Sequence, residues 1–320
     1  MSTIQPASVA RPALSGAGGR RAVRGGARRG PRRRARLRGL LLVAPALVLL
    51  AVIFLAPLAV SVWMSVSSWP LLGEHTFIGL ANYTRLIHDP LVLRALRFTI
   101  EFAVVVTPLT FLVGLGLALL VERRRRGVGV VRTAIFAPVA IGFASASYLF
   151  LALTNTATGV FGRVLVDLGI ASKPVNWLLK PGLAMTLVVL VTLWKTAGFA
   201  MVALMNGLHS IGKDIEDAAR VDGAGRLRLL AQIKLPMMKD SIAFALTFTA
   251  IGAFLSFDQF YILTGGAPNN STVTAVYRIY NTAFTQGQLG YAAAFSLVFL
   301  VLLLAVTTTQ LVLLRRGADT

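Results

Sequence analysis

Residues 183–207 read LAMTLVVLVTLWKTAGFAMVALMNG, an apolar run that contains one charged residue, Lys195. An α-helix needs about 20 apolar residues to cross the hydrocarbon core of a bilayer. Of the 320 residues in the chain, 56% are hydrophobic and only 14% are charged, which leaves too little polar surface for a soluble domain. The sequence therefore predicts an all-α, polytopic membrane protein with about six transmembrane helices. The predicted spans are residues 39–64, 98–121, 133–154, 183–207, 241–263 and 290–314.

Basic residues are divided unequally between the two sides of these spans. The N-terminus, residues 122–132, residues 208–240 and the C-terminus hold 24 of the 32 lysines and arginines. The segments on the opposite side, 65–97, 155–182 and 264–289, hold seven. Because cytoplasmic segments carry the excess of Lys and Arg, both termini are predicted to be cytoplasmic. The chain is expected to be a multi-pass protein of the cell (inner, cytoplasmic) membrane.

The N-terminal segment is the most basic part of the chain. Eleven arginines occur in residues 1–38 without one acidic residue. Such like-charge density with few apolar residues predicts a disordered tail over residues 1–37, followed by a transmembrane domain over residues 38–316. No aromatic residues are interleaved for base stacking. The tail is therefore expected to contact lipid headgroups and not nucleic acid.

Residues that could support covalent or metal chemistry are scarce. The chain has no cysteine, and its three histidines lie far apart in the sequence. No paired-histidine metal motif occurs, and no long soluble segment could house an active site. The chain is thus expected not to be an enzyme and to bind no cofactor itself.

A charged cytoplasmic loop, residues 211–240, separates the fourth and fifth predicted spans. It reads IGKDIEDAARVDGAGRLRLLAQIKLPMMKD. Acidic residues open it, as suits a helix N-terminus, and Asp222-Gly223 is a turn dipeptide. A second run, residues 226–234, is expected to end at Leu235-Pro236 because proline disfavours helix continuation. Two short helices are predicted, which form either a protruding docking element or a helix pair that packs on the membrane surface.

The loop carries three short motifs whose order and spacing resemble the EAA loop of ABC-importer permeases, in the form found in the carbohydrate-uptake group: Asp217-Ala218-Ala219, Asp222-Gly223-Ala224 and Ile233-x-Leu235-Pro236. The resemblance extends to residues 77–83, 257–268 and 290–294. It departs from the family at Asp217, where glutamate is usual. The resemblance implies that the loop docks into a cleft on an ATPase subunit, and that the importer has two such subunits, which bind ATP and Mg²⁺. It also implies an extracytoplasmic solute-binding protein and a second permease subunit, which is usually non-identical in the family, with a homodimer as the alternative.

Polar and aromatic residues also occur inside the spans. Lys195 and Asp258 lie about 21 and about 25 Å from the cytoplasmic ends of their spans, at 1.5 Å per residue, so the two could meet. A charge at the bilayer centre is costly, so both are expected to face the protein interior. The two charged residues are expected either to line a solute pathway or to form a buried ion pair. The threonine and serine hydroxyls in the same spans are expected either to hold helices together or to line that pathway. The candidate pathway residues are Thr192, Lys195, Thr196, Phe199, Thr249, Ser256, Asp258 and Gln259.

The predicted function is translocation of a sugar or sugar-like solute in an ATP-binding-cassette importer. Lys195 is the one basic residue within a predicted span, which favours a neutral sugar over an anion. The alternative is a secondary transporter driven by an ion gradient, in which Lys195 and Asp258 would be the coupling pair.

Overall fold

The computed structural model describes residues 42–122 and 126–316, and the predicted disordered tail, residues 1–37, lies outside them. Contacts divide the chain into two compact units, Met1–Ala56 and Pro57–Thr320. The described residues of the first unit are helical, with a π-helical turn at Ala51–Leu55. The second unit contains the remaining helices and one small sheet.

Twelve helices are defined here within the described ranges. They are α1 (Leu42–Ser65), α2 (Ala81–His88), α3 (Pro90–Val121), α4 (Val128–Ala140), α5 (Phe143–Leu153), α6 (Val160–Asp167), α7 (Pro181–His209), α8 (Lys213–Val221), α9 (Arg226–Met237), α10 (Lys239–Phe254), α11 (Ala275–Tyr280) and α12 (Leu289–Arg316). Strands β1 (Ser67–Ser68) and β2 (Thr76–Phe77) pair antiparallel. Further π-helical turns occupy Leu230–Lys234 within α9, Gln259–Thr264, and Asn281–Thr285.

Membrane-length helices account for four of the predicted spans. Helices α1, α3, α7 and the first 25 residues of α12 are each long and apolar enough to cross a bilayer. The described part of the chain reaches six spans if two bent helix pairs each count as one, α4 with α5 and α9 with α10. The prediction of an all-α membrane protein is confirmed.

Two predicted spans are not continuous helices. The span expected at 133–154 is broken at Ile141-Gly142, where both residues adopt extended backbone and α5 leaves α4 at 99°. The span expected at 241–263 is also interrupted, because α10 ends at Phe254 and helical geometry resumes only at Asp258. Continuous helices were the wrong prediction here because hydropathy measures apolar content and does not detect a change of chain direction.

Close helix crossings organise the second unit. Helix α3 packs along α7, and α4 and α10 pack on the same helix. A Cβ added at Gly114 of α3 would lie 2.6 Å from the Ala200 Cβ of α7. A Cβ added at Gly198 would lie 2.5 Å from the carbonyl oxygen of Ile135 in α4. Small residues at these positions let helix backbones approach closely, as is common in membranes.

The buried apolar side chains form two clusters. One contains Phe102, Phe260 and Phe295, and the other contains Met201, Leu204 and Met238. Helices α3 and α7 contribute to both clusters. These two helices therefore form the frame on which the broken spans and the charged loop are held.

Candidate functional site

The charged loop begins with helix α8. Asp214 and Glu216 lie in its first turn, where carboxylates interact favourably with the positive end of the helix dipole. The helix ends in a Schellman motif, since the N–H of Ala224 donates to the carbonyl of Ala219 and the N–H of Gly223 to that of Arg220. Gly223 has φ +80°, a conformation that L side chains rarely adopt. The turn predicted at Asp222-Gly223 is therefore present.

Helix α9 follows after four residues and runs further than predicted. The sequence predicted an end at Leu235-Pro236, but helical geometry continues to Met237 and bends by 76° into α10. That prediction is wrong because Pro236 occupies the first turn of the helical segment that follows the π-helical turn Leu230–Lys234. Proline is tolerated in a first turn, where its missing N–H breaks no hydrogen bond.

The loop exposes apolar as well as charged residues. Val221 is 87% exposed and Leu227 is 83% exposed, and Gly223 lies between them in the sequence. Of the residues assigned to coupling, Asp217, Ala218, Asp222, Gly223 and Pro236 are exposed; Ala224, Ile233 and Leu235 are half-buried, and Ala219 is buried. An apolar patch next to charged groups on one surface is typical of a protein interaction site.

Lys234 is the one lysine in this loop that is buried, with 6% of its surface exposed. Its Nζ lies 2.6 Å from Oε1 of Glu122, which directly follows α3, and 3.0 Å from Oε1 of Glu216 in α8. Burial lowers the pKa of Lys234, but the hydrogen bonds to Glu122 and Glu216, together with the charges of these carboxylates, raise it overall. Sequence reasoning missed this site because its members are up to 112 positions apart.

Lys195 lies at the corner between α4 and α5. Its side chain is buried, its Nζ donates to the carbonyl oxygen of Val139 at 3.4 Å, and it lies 4.6 Å from the centroid of the Phe143 ring. The last carbonyls of a helix have no intrahelical partner and favour a nearby cation. Within the described ranges no salt bridge joins Lys195 to Asp258. The ion pair considered for these two residues is thus absent.

The threonines of the candidate pathway donate hydrogen bonds within their own helices. Thr192 donates to the carbonyl of Val188, Thr196 to that of Thr192, and Thr249 to that of Ala245. Such back-bonding leaves the hydroxyl oxygen able to accept one further hydrogen bond. Phe199 stacks on Phe248, with ring centroids 4.2 Å apart. Phe199 therefore lies at the contact between α7 and α10, and the threonines, bonded within their own helices, agree with either pathway lining or helix packing.

The interruption after α10 brings three other candidates together. Ser256 donates to the carbonyl of Gly252 and accepts from the side-chain amide of Gln259 at 2.9 Å. Asp258 lies between them and is half-buried. The following π-helical turn, Gln259–Thr264, packs against α5, so the two broken spans meet. Irregular backbone at membrane depth is tolerated where protein buries it or where it lines a cavity.

An aromatic cluster adjoins this interruption. Phe257 stacks on Tyr261 at 5.2 Å between centroids, and Tyr261 contacts the rings of Tyr277 and Tyr280 at 5.5 and 5.2 Å. Tyr261 remains 43% exposed. Sequence reasoning did not assign these rings to the pathway. Their spacing of three or four residues within each segment is the signal that places them on one helical face.

Comparison with known proteins agrees with this architecture. The chain is 32% identical over 282 residues to the probable ABC transporter permease protein YurN of Bacillus subtilis, an alignment covering 87% of this chain and 96% of that protein. It is 34% identical over 282 residues to the sulfoquinovosyl glycerol transport system permease protein SmoG of Agrobacterium fabrum, covering 88% and 91%. A chain of a bacterial alginate ABC transporter, solved in complex with its alginate-bound periplasmic protein, superposes with a TM-score of 0.77 at 20% identity, covering 90% and 97%.

The match to a family profile covers most of the chain. Residues 27–317 match the profile described as binding-protein-dependent transport system inner membrane component. This confirms the resemblance seen in the sequence and identifies the chain as a transport subunit and not an enzyme. The chain belongs to the family of inner membrane components of binding-protein-dependent transport systems, the permease subunits of ABC importers.

Proposed function

We propose that this chain forms part of the translocation pathway of an ATP-driven importer for a neutral sugar or sugar-like solute, and that residues 211–240 are its docking element for an ATPase subunit. The exposed apolar pair Val221 and Leu227 beside the Gly223 turn carries the proposal. Apolar side chains exposed this fully on a charged loop are stabilised when a partner protein covers them. Both termini and this loop then lie in the cytoplasm, and the chain lies in the inner membrane.

Further partners follow from the same assignment. Two ATPase subunits bind ATP and Mg²⁺, an extracytoplasmic binding protein delivers the solute, and a second, non-identical permease completes the pathway. Along α3, Val104, Leu112 and Leu120 are spaced eight residues apart and are 67%, 60% and 72% exposed. Apolar side chains exposed along the length of a membrane helix support contact with lipid or with the second permease.

The solute class is proposed from the pathway chemistry. The exposed ring of Tyr261, with Phe257 and Tyr280 beside it, combines hydroxyl groups with flat apolar surface, which suits a sugar ring. Lys195 is already engaged by the Val139 carbonyl and the Phe143 ring, so it is not placed to neutralise an anionic solute. The relative SmoG is named for sulfoquinovosyl glycerol, a glycoside that carries a sulfonate, so it supports a glycoside-like solute but not the absence of charge, which rests on Lys195 alone. An ion-gradient mechanism loses its support because Lys195 and Asp258 do not pair.

Two glycines of the loop provide a matched test. A Cβ at either Gly223 or Gly225 would meet no atom within 4 Å, but only Gly223 has a positive φ. Gly223→Val should distort the turn and abolish both co-purification of the ATPase subunits and uptake of labelled sugars by cells that express the whole importer. Gly225→Ser should leave both unchanged, because serine suits a helix N-cap. Normal ATPase binding and uptake by Gly223→Val would refute the docking assignment.

A further inference from the structure

A continuous series of charged contacts crosses the loop. Nζ of Lys234 contacts Glu122 and Glu216, the second carboxylate oxygen of Glu216 contacts Arg220 at 3.2 Å, and Arg220 contacts Asp217 at 3.0 Å. We call these five residues the ion chain. One end is Asp217, whose side chain is 67% exposed on the proposed docking surface. The other end is Glu122, the residue that follows α3.

The ion chain links segments that are far apart in the sequence. Glu122 follows α3, Glu216 belongs to α8, and Lys234 belongs to α9. The guanidinium of Arg132 in α4 also donates two hydrogen bonds to the carbonyl oxygen of Val121, at 2.5 and 3.2 Å. The C-terminal end of α3 is therefore held by side chains of two other segments, α4 and the charged loop.

Burial distinguishes the contacts of Lys234 from the rest of the ion chain. The Lys234 side chain is 8% exposed, and the carboxylates of Glu122 and Glu216 are 22% and 17% exposed. The Arg220 side chain is 54% exposed, and exposed ion pairs contribute little to stability because water screens them. Lysine is rarely buried without a partner, and removing one member of a buried pair leaves the others poorly solvated. Lys234 is therefore the member on which the geometry of the ion chain depends most.

We propose that the ion chain transmits displacement of the docked loop to α3, with Lys234 as the positioning residue that holds α8 and α9 to the end of α3. This inference rests on the proposed docking of residues 211–240 to an ATPase subunit. Coupling between distant sites requires a contiguous set of contacts that both sites can bias, and the ion chain supplies one from the docking surface to α3. Helix α3 packs along α7, which carries Thr192 and Thr196, so movement of α3 would reach the candidate pathway.

The experiment reports movement at the far end of α3. The chain has no cysteine, so Arg94→Cys introduces a single thiol in an exposed position near the start of α3. The whole importer, with its ATPase subunits and second permease cleared of reactive cysteines, is reconstituted in liposomes. The rate of maleimide labelling is measured without nucleotide and with the slowly hydrolysed analogue ATPγS and Mg²⁺. With Lys234 present, we expect nucleotide to change the labelling rate.

Substitution of Lys234 should remove most of this response. We expect Lys234→Met to reduce the nucleotide-dependent change by about fivefold or more, the lower end of typical allosteric coupling. Lys234→Arg, which can reach both carboxylates, should retain the response. Arg97→Met also removes an ion pair from α3, but that pair, with Glu101, is exposed and lies within one helix, so the response should persist. In all three variants the ATPase subunits should still co-purify.

Glu122→Gln covers the case in which Lys234→Met does not fold. It keeps the side-chain shape and leaves the contact between Lys234 and Glu216, yet it should lose the response to a similar extent. The double variant with Lys234→Met should lose no more than Lys234→Met alone, because that substitution already removes the contact that Glu122→Gln weakens. Undiminished responses in Lys234→Met or Glu122→Gln would overturn the inference. Failure of the ATPase subunits to bind the chain with Lys234 intact would instead overturn the proposed docking function.

Discussion

The two ends of α3 are both held by charged side chains, but they are connected to different parts of the molecule. At the N-terminal end, Asp89 accepts hydrogen bonds from the backbone N–H groups of Leu91 and Val92 and from the hydroxyl of Tyr291. At the C-terminal end, Glu122 contacts Lys234 of the charged loop. The first end is fixed to another membrane-length helix, α12, whereas the second is fixed to the proposed docking element.

A carboxylate contact at the end of a helix can therefore have either of two roles, a structural role at Asp89 and a coupling role at Glu122. Asp89 caps its own helix and joins two elements that belong to one packed cluster, so its loss should lower stability. Glu122 joins α3 to the loop that is proposed to dock an ATPase subunit, so its loss should alter communication with that subunit.

Gly114, in the middle of α3, should give the largest effect. Gly114→Val places a Cβ 2.6 Å from the Cβ of Ala200, too close for the crossing of α3 and α7 to persist. We expect a loss of about 3 kcal/mol in stability, measured as the shift of thermal unfolding in detergent. The contacts of Asp89 and of Glu122, at the two ends of α3, should both be disturbed. Gly116→Ala is the control, since a Cβ there would meet no atom within 4 Å. An unchanged unfolding temperature for Gly114→Val would contradict the observed crossing.

Reversing the charge at Glu122 should mainly affect coupling. Glu122→Lys places two ammonium groups where the carboxylate and Lys234 are now 2.6 Å apart. We expect sugar uptake per ATP hydrolysed to fall about tenfold, because like charges repel and separate α3 from the loop. The combined variant Glu122→Lys with Lys234→Glu restores an opposite-charge pair and should recover part of this ratio. A double variant no better than the single one would count against a direct contact.

Removing the carboxylate at Asp89 should have a smaller and different effect. Asp89→Ala removes the N-cap of α3, and a lost N-cap costs about 1 kcal/mol. Asparagine caps nearly as well as aspartate, so Asp89→Asn should retain more stability. Neither substitution should change uptake per ATP hydrolysed. A change in that ratio, with stability unaffected, would show that the two ends of α3 do not differ as described.

The sequence predicts some parts of this arrangement and not others, for identifiable reasons. The length of the apolar run at residues 183–207 predicts both ends of α7 to within two residues, and the Asp222-Gly223 dipeptide predicts the end of α8. The break at Ile141-Gly142 was not predicted, because both halves of that span are equally apolar. Lys234 was not selected either, since its partner Glu122 lies 112 residues earlier and only the folded chain brings them together.

Changing the pH should have the smallest effect on stability. Acid should affect the Asp89 end of α3, and alkali should affect the Lys234 end. Burial raises the pKa of Asp89, but hydrogen bonds from Tyr291, Leu91 and Val92 and the charge of Arg278 lower it overall, below the ordinary value of 3.8. Its stabilisation is therefore present above that value and is lost as pH falls through the lowered pKa. The net raised pKa of Lys234 acts in the opposite direction, since its stabilisation is present below 10.5 and is lost as pH rises through the raised value.

Between about pH 5 and about pH 9 neither group changes its charge, so neither end of α3 should respond to pH in that window. Unfolding temperatures of the native chain, Asp89→Asn and Lys234→Met should therefore run parallel across it. In stronger acid the native chain should converge on Asp89→Asn, and in stronger alkali on Lys234→Met. Convergence on Lys234→Met in acid and on Asp89→Asn in alkali would contradict the stabilising charges assigned to these two residues. Curves that diverge near pH 7 would show that a different group, such as a histidine, controls one of the ends.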